Sequence, residues 1–298
     1  MKKILVTGGA GFVGTNLIKR LIKQGYHVVS IDNYSTGLKE NEQPGVTYVN
    51  KDIRDLEQKN SSFWGKFDIV YHLAAIARIQ PSFERPLDYF ETNATATMKI
   101  AKFCSEANIP LIYAGSSSHH SGLYSNPYTF SKDIGENILE MFKYNYNLKF
   151  VIARFYNVYG PHQLEKGGYT TLIGRWINNI KNNIPCEVYG DGEQRRDFTH
   201  VDDIINGLLA MHSDKAYGHT FELGRGKNYS VNEVAKMFGI NPKHKPPKPG
   251  EARDTLCKDK SATEILGWTP QNELTDYIKP WFEYMNNFTE SKKALIFN

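Results

Sequence analysis

Short apolar runs alternate with amphipathic stretches through the first half of the chain. The apolar runs predict strands at 2–7, 27–32, 46–50, 67–73, 110–115 and 149–155. Apolar residues spaced three to four positions apart predict helices at 11–24, 84–108 and 127–147. This alternation favours an α/β fold of the Rossmann type, a doubly wound parallel sheet with helices on both faces. Such sheets bind ligands outside the carboxyl ends of their strands.

After about residue 160 the alternation becomes irregular. The pattern predicts helices at 169–182, 202–212, 230–238 and 272–286 and a strand at 186–190. We predict an exposed loop at 241–250, because its four prolines lack N–H donors and fix φ. We therefore divide the chain into a Rossmann-type domain, 1–160, and a smaller lobe, 161–298. Part of that lobe, for example 186–212, can return to the sheet.

Composition narrows the class of protein. A net charge of +4, with 40% hydrophobic and 23% charged residues, is typical of a folded protein that binds neither nucleic acid nor a membrane. The cysteines Cys104, Cys186 and Cys257 are far apart and form no paired motif, so neither disulfides nor a metal site are expected. The apolar run after Met1-Lys2-Lys3 is too short for a signal peptide, and we expect a cytoplasmic protein.

A glycine-rich turn joins the first predicted strand to the first predicted helix. It reads Thr7-Gly8-Gly9-Ala10-Gly11-Phe12-Val13-Gly14, and its glycines permit a tight turn and close approach of a pyrophosphate to backbone N–H groups. Asp32 ends the second predicted strand, 18 residues beyond Gly14. An acid there bonds the ribose hydroxyls and repels the extra phosphate of NADP, so the pattern predicts NAD as the cofactor.

Two further segments fit the same dinucleotide. Lys51-Asp52-Ile53 is placed to flank the adenine, and His72-Leu73-Ala74-Ala75 ends a strand with small residues where the dinucleotide would pass. Ordinary close packing explains Ala74 and Ala75 equally well.

Tyr128 and Lys132 stand four residues apart, on one face of a predicted helix. A tyrosine with its usual pKa of ~10 is a poor base at neutral pH. A neighbouring cation favours the phenolate, so we predict that Lys132, together with an oxidised nicotinamide, lowers the pKa of Tyr128. Such a base can take a proton from an alcohol while its hydride leaves. A solvated lysine beside a tyrosine is the alternative interpretation of this spacing.

The serines Ser116, Ser117 and Ser118 follow the fifth predicted strand at the same edge of the sheet. A hydroxyl here can bond the substrate oxygen and relay its proton to Tyr128. We interpret Ser118 as part of a serine-rich turn.

Together these motifs resemble the extended short-chain dehydrogenase/reductase family, over nearly the whole chain. The resemblance is to its NAD-dependent nucleotide-sugar epimerases and dehydratases, such as UDP-glucose and UDP-N-acetylglucosamine 4-epimerases. It implies the catalytic residues Tyr128, Lys132, Ser116 and Ser117. The implied NAD-binding residues are Gly8, Gly11, Phe12, Val13, Gly14, Asp32, Asn33, Ser35, Thr36, Gly37, Asp52, Ile53, Leu73, Ala74, Ala75, Asn93, Tyr128, Lys132 and Tyr156.

The second half carries further family segments. Asn157, in Arg154–Pro161, corresponds to the asparagine that contacts the nucleotide diphosphate, and Arg196 and Arg253 correspond to substrate arginines. Forked guanidinium donors also suit phosphate oxygens on chemical grounds. The full set of implied substrate-binding residues is Ser116, Asn157, Arg196, Arg253, Thr255, Val188 and Tyr189. By the same resemblance, Thr255 is the position that gates the C2 substituent, and its small side chain would admit an N-acetyl group.

The family's dehydratases and decarboxylases usually carry an acid just after the catalytic serine, where this chain has Ser117, Ser118 and His119. The predicted function is therefore 4-epimerisation of a nucleotide-linked sugar, a UDP-hexose or UDP-N-acetylhexosamine, through a 4-keto intermediate. The alternatives are a 4,6-dehydratase, decarboxylase or reductase, and a non-catalytic dinucleotide sensor. By resemblance the chain forms a homodimer through the helices at 84–108 and 127–147.

The chain also departs from the family. Only 12 positions separate Ser116 from Tyr128, so a loop that usually walls the sugar is missing, and His119 and His120 stand in its place. These histidines either fill space or donate a proton or a sugar contact.

Overall fold

The central element is a parallel sheet of seven strands. A computed structural model describes residues 2–56 and 67–286. From one edge to the other the strands are Thr220–Leu223, Phe150–Phe155, Leu111–Ser116, Ile69–His72, Lys3–Thr7, His27–Asp32 and Thr47–Asn50. All six pairings are parallel, which confirms the predicted Rossmann-type α/β fold. The strand order reverses beside Lys3–Thr7, where such sheets open a crevice for ligands.

Helices cover both faces of the sheet. The α-helices are Phe12–Lys23, Gln80–Glu84, Pro86–Phe90, Ala96–Ala107, Pro127–Tyr146, Leu172–Lys181, Val201–Ala210, Val231–Phe238, Ser261–Leu266 and Leu274–Asn286. A π-helix spans Glu91–Thr95, and 3₁₀ turns span Lys39–Asn41, Ile53–Asp55, Ser117–Ser121 and Asp214–Ala216. No helix in the described part of the chain is both long and apolar enough to cross a membrane.

The predicted helix at 84–108 is wrong as one continuous element. The chain breaks at Arg85, which has φ −130° and ψ 50°. Pro86 follows it, and a residue before proline is displaced from the helical region by the proline ring. The helix then continues through the π-turn to Ala107.

Three hydrophobic clusters make up the core of the described residues. One lies between the sheet and the helices Phe12–Lys23 and Val201–Ala210, and a second lies beneath Ala96–Ala107 and Pro127–Tyr146. The third lies away from the sheet, around Trp176, Phe238 and Ile278. The second half of the chain therefore supplies both a separate small lobe and part of the sheet's own layers.

Residues after 160 do not all leave the sheet. Thr220–Leu223, which the pattern did not predict, adds the seventh strand beside Phe150–Phe155. Of the segment 186–212, the helix Val201–Ala210 packs on the sheet, whereas Glu187–Tyr189 stays in the small lobe. The last part of the predicted lobe, 287–298, lies outside the described residues.

The small lobe holds three further two-stranded pairings. These join Val158–Tyr159 to Thr199–His200, Arg195–Asp197 to Asn228–Ser230, and Glu187–Tyr189 to Lys243–Lys245. The prediction of a loop throughout 241–250 is thus wrong for Lys243–Lys245. Those three residues lie between Pro242 and Pro246, and each of them keeps the N–H group that pairing needs.

Candidate active site

The glycine-rich turn adopts the geometry that the pattern predicts. Gly8 has φ +75°, and a side-chain carbon on Gly14 would lie 2.1 Å from the carbonyl oxygen of Gly8. Strand and helix therefore approach more closely than any other residue would allow. The helix Phe12–Lys23 begins after Gly11 with no side-chain cap, which leaves its first N–H groups available to an anion.

Asp32 lies at the far side of this turn. Its carboxylate accepts hydrogen bonds from the backbone N–H groups of Ala10, at 2.9 Å, and Tyr34, at 2.8 Å. Burial raises the pKa of Asp32, and these hydrogen bonds oppose that rise. The side chain of Asn33 donates to Asp52 at 2.8 Å and joins the two strand ends.

These residues line a cleft of about 520 Å³, here called the cofactor groove. Of the predicted NAD-binding set, it is lined by Gly8, Gly11, Phe12, Val13, Gly14, Asp32, Asn33, Ser35, Thr36, Asp52, Ile53, Leu73, Ala74, Ala75 and Tyr128. The open turn, the acid and the small residues fit a dinucleotide.

Four residues of that set do not line the groove: Gly37, Asn93, Lys132 and Tyr156. Gly37 packs against Asp32, and Tyr156 is buried at 3% exposure, with Phe155 lining the groove instead. Asn93 is also buried, and its amide holds both the N–H and the carbonyl of Ile76, at 2.9 and 3.0 Å. Its place in the structure is therefore behind the groove wall.

Tyr128 lies in the first turn of the helix Pro127–Tyr146. The side chain of Asn126 caps that helix by accepting from the N–H of Thr129 at 2.8 Å. The Tyr128 hydroxyl donates to Ser116 Oγ at 3.2 Å, at the end of the strand Leu111–Ser116. Ser118 Oγ lies 2.9 Å from the same oxygen. The structure thus brings Tyr128 and Ser116 together, as predicted, and adds Ser118 to the chain of hydroxyls.

Lys132 does not stand beside the Tyr128 hydroxyl. Its ammonium donates to the carbonyl of Ala114 at 2.6 Å and lies 4.0 Å from the centre of the Tyr113 ring. Burial lowers the pKa of Lys132 to about 7. The ammonium is thus turned towards a backbone carbonyl, and the lowering of the Tyr128 pKa by Lys132 stays a prediction.

Burial raises the pKa of Tyr128, and two neighbours oppose that rise. The larger opposing effect is the hydrogen bond to Ser116, and the second is the charge of Arg78. Burial therefore favours the neutral phenol of Tyr128, whereas Ser116 and Arg78 favour the phenolate.

A buried charge network lies behind these residues. The Arg154 guanidinium donates to Glu136 at 2.5 Å and to Glu222 at 3.0 Å, and His120 contacts Glu222 at 2.8 Å. His119 contacts Asp133 at 2.7 Å. Neither histidine lines the cofactor groove, and their contacts with Asp133 and Glu222 anchor the short segment Ser117–Ser121.

The same network bears on metal binding. His119, Asp133 and Glu136 have ligand atoms within 4.8 Å of one another. Because Arg154 already holds the Glu136 carboxylate, a cation there would meet a fixed positive charge.

A second cleft, of about 810 Å³, opens between the sheet edge and the small lobe and is here called the substrate cleft. All seven predicted substrate-binding residues line one of the two clefts, and Asn157 and Arg196 line both. Arg196 donates to Glu251 at 3.3 Å, and Asn157 donates to Thr255 at 3.3 Å.

Arg253 lies at the outer rim of the substrate cleft. Its guanidinium makes a two-pronged ion pair with Asp191, at 2.8 and 2.9 Å, and lowers the pKa of that carboxyl to about 2. A phosphate would have to share Arg253 with this partner.

A sequence model of the NAD-dependent epimerase/dehydratase family matches residues 4–224. The chain belongs to this family. That membership confirms the predicted enzyme class, an NAD-dependent epimerase of the extended short-chain dehydrogenase/reductase type, and confirms NAD as its cofactor.

Relatives within the family agree along nearly the whole chain. A putative UDP-glucose 4-epimerase from Methanocaldococcus jannaschii is 31% identical, over 95% of this chain and 98% of its own. A UDP-glucuronic acid 4-epimerase from Bacillus cereus, solved with UDP-glucuronic acid and NAD, superposes with a TM-score of 0.84 at 28% identity, over 95% of this chain and 98% of its own. A UDP-N-acetylglucosaminuronate decarboxylase from Bacillus cytotoxicus is 28% identical, over 79% of this chain and 78% of its own.

Several charged residues of the two clefts were not predicted from the sequence. Arg78 and Glu251 line both clefts, and Arg175 and Lys248 line the substrate cleft. A signal for Arg78 was present, since one arginine interrupts the small residues that follow a strand at its carboxyl end. The others come from loops whose meeting only the tertiary fold determines.

Proposed function

We propose that this enzyme catalyses the 4-epimerisation of a nucleotide-linked hexose, a UDP-hexose or UDP-N-acetylhexosamine. The observation that carries this proposal is the hydrogen-bonded pair Tyr128–Ser116, which lies in the cofactor groove where the substrate cleft opens into it. The relatives named as UDP-sugar 4-epimerases support the same reaction.

Bound NAD⁺ supplies the hydride acceptor, and the protein supplies the base and the orientation. Tyr128 takes the proton of the sugar's 4-hydroxyl, and Ser116 shares that proton by hydrogen bonding to both oxygens. The resulting 4-keto sugar turns over within the site, so that hydride returns to its other face and Tyr128 returns the proton. Return of the hydride would leave bound NAD unchanged over one cycle.

We propose separate roles for the predicted residues. The lining residues of the cofactor groove bind NAD, with Asp32 on the ribose hydroxyls. Lys132 orients the catalytic helix by binding the carbonyl oxygen of Ala114 in the neighbouring strand. Asn157, Arg196 and Arg253 bind the nucleotide diphosphate. The part of 161–298 outside the sheet layers forms the nucleotide-binding lobe.

The alternative reactions require a further acid or base near the sugar. No carboxylate follows Ser116, and Asp133 and Glu222 are held by histidines behind the wall. Glu251 does reach both clefts, where it is paired with Arg196. Because one relative is a decarboxylase, loss of carbon dioxide from a sugar acid remains the second candidate.

We also propose a homodimer through the helices Ala96–Ala107 and Pro127–Tyr146. Large apolar side chains are exposed on these helices and on the short helix Pro86–Phe90 before them. Their exposed fractions are 76% for Leu87, 43% for Met98, 39% for Met141 and 89% for Tyr144. Burial of such a surface against a second copy would stabilise the pair.

The test is an NMR assay of the purified protein with UDP-, GDP- and dTDP-sugars and no added NAD. We expect interconversion of one pair of 4-epimers, with no net change in cofactor redox state. A dehydrated or decarboxylated product would contradict epimerisation in favour of an alternative. Complete lack of turnover while NAD stays bound would favour a non-catalytic sensor.

A further inference from the structure

Arg78 occupies the junction of the two clefts. It follows the strand Ile69–His72 and lines both the cofactor groove and the substrate cleft. Its φ is +100°, a conformation that non-glycine residues rarely adopt because the side chain clashes with the backbone. Such strain persists only where the surroundings enforce it, and it concentrates at functional sites.

The surroundings of Arg78 do enforce it. The Tyr89 hydroxyl donates to the carbonyl oxygen of Arg78 at 2.8 Å, and the Tyr89 ring packs edge-on against Tyr128 at 6.2 Å. Asn93 fixes the same loop by holding both backbone groups of Ile76. The loop is therefore clamped to the catalytic helix, and Arg78 is fixed beside the catalytic tyrosine.

The guanidinium of Arg78 has donors to spare. Its Nε donates to the carbonyl oxygen of Tyr169 at 3.0 Å, and its two terminal amino groups make no hydrogen bond within residues 2–56 and 67–286. Glu251, an acid of both clefts, bonds Arg196 and Gln80 instead. A half-buried arginine with a free two-pronged face suits a planar carboxylate.

Arg78 differs from two other arginines of the substrate cleft, which already have acidic partners. Arg196 and Glu251 form a pair, and Arg253 lies at the rim with Asp191. The backbone of Arg78, by contrast, is held by Tyr89, whose ring packs on that of Tyr128, and Arg78 lines the cofactor groove together with Tyr128. A ligand of Arg78 there lies on the catalytic side of the substrate cleft. The diphosphate is attached to C1, across the sugar ring from the 4-hydroxyl, and is therefore less well placed to bind Arg78.

We propose that Arg78 binds a carboxylate on the sugar ring, so that the natural substrate is a nucleotide-linked uronic acid. This inference rests on the proposed 4-epimerisation and narrows its sugar to a hexose that is oxidised to the acid at C6.

Binding of a carboxylate would also let Arg78 influence which reaction follows oxidation at C4. Oxidation at C4 turns a hexuronate into a β-keto acid, in which the C5–C6 bond can break. Carbon dioxide then leaves, the bonding electrons pass into a C4–C5 enolate, and C5 later takes a proton. An ion pair stabilises the charge on the carboxylate, which decarboxylation must remove, so Arg78 opposes this loss and favours epimerisation.

The experiment compares Arg78→Gln and Arg78→Lys with the unchanged enzyme on UDP-glucuronate and UDP-glucose. NMR measures both epimers and any UDP-pentose, and calorimetry measures the affinity for each nucleotide sugar. Arg20→Gln is the matched control, because Arg20 lies outside both clefts and contacts Asn206 and Asp202. Thermal unfolding shows whether each variant is folded.

We expect Arg78→Gln to lower kcat/KM for UDP-glucuronate on the order of 100-fold, the usual cost of a lost charge-assisted hydrogen bond, and to change that for UDP-glucose less than about 3-fold. The pentose fraction should rise, and Arg78→Lys should recover part of the loss. Equal losses on both sugars would place Arg78 on the diphosphate and overturn the inference, as would unchanged affinity for UDP-glucuronate. Turnover of UDP-glucose alone would overturn the inference but leave the proposed epimerisation intact. Normal, Arg78-dependent affinity for UDP-glucuronate without turnover would contradict the epimerisation alone.

Discussion

The cofactor groove and the substrate cleft are built in different ways. The groove is formed where neighbouring strands end, by a turn whose backbone geometry depends on Gly8 and Gly14. The substrate cleft is formed by side chains from widely separated segments, and charged ones such as Arg78, Arg196 and Glu251 are among them. Backbone geometry fixes one common cofactor, whereas side-chain chemistry can change with the sugar. Substitutions should therefore impair cofactor binding in the first region and specificity in the second.

The largest effect is expected where the two regions meet. Tyr128→Phe should lower kcat by about 10³-fold, within the range of ~10²–10⁴ for general acid–base catalysis, because the proton acceptor is lost. NAD content should stay unchanged. NMR measures the turnover, and absorbance measures the amount of bound NAD. Tyr124→Phe is the control, because Tyr124 is exposed. Near-normal turnover of the Tyr128 variant would show that Tyr128 is not the catalytic base.

Gly14→Ala tests the backbone dependence of the groove. The new carbon would lie 2.1 Å from the Gly8 carbonyl oxygen, so strand and helix must separate. We expect a loss of roughly 1–3 kcal/mol in the free energy of unfolding, as for overpacking elsewhere, and a marked loss of NAD affinity. Denaturant titration and calorimetry measure these effects. Gly168→Ala, which meets no atom within 4 Å, should leave NAD affinity as it was. Equal behaviour of the two variants would refute the packing argument.

Arg196→Gln tests the side-chain dependence of the substrate cleft. The variant should raise KM for the nucleotide sugar on the order of 10- to 100-fold, with a smaller change in kcat and none in NAD affinity. The neighbouring Arg195 is a matched control, because it bonds Asn228 and Glu233 instead. A KM that responds equally to both substitutions would show that charge alone, and not contact, governs binding.

The smallest effect concerns the pH profile. The hydrogen bond to Ser116 lowers the pKa of Tyr128, so Ser116→Ala should raise that pKa. Activity needs the deprotonated phenol and rises with pH through its pKa, so the acidic limb of the kcat/KM profile should move to higher pH. If the acidic limb stays in place or moves to lower pH, Ser116 does not lower the pKa of Tyr128.

The same contrast explains how far the sequence could predict this molecule. The six early strands and the groove follow from local patterns, because strand, turn and helix are adjacent in the chain. The strand Thr220–Leu223 was missed, since four residues containing a glutamate give too weak a period. The spacing of Tyr128 and Lys132 predicted that they share a helix face. It could not predict that the Lys132 ammonium binds the carbonyl oxygen of Ala114 on another element. The position of Arg78 after a strand was a signal in the sequence, but its proposed role depends on the loops that fold around it.

The most direct test of proton and hydride transfer at C4 is an isotope experiment. The enzyme is given a UDP-sugar carrying deuterium at C4, in ordinary water and without added NAD, and both epimers are analysed by NMR. We predict that the product epimer keeps the deuterium at C4, because the hydride leaves and returns within the site. Replacement of that deuterium by solvent hydrogen would contradict the account.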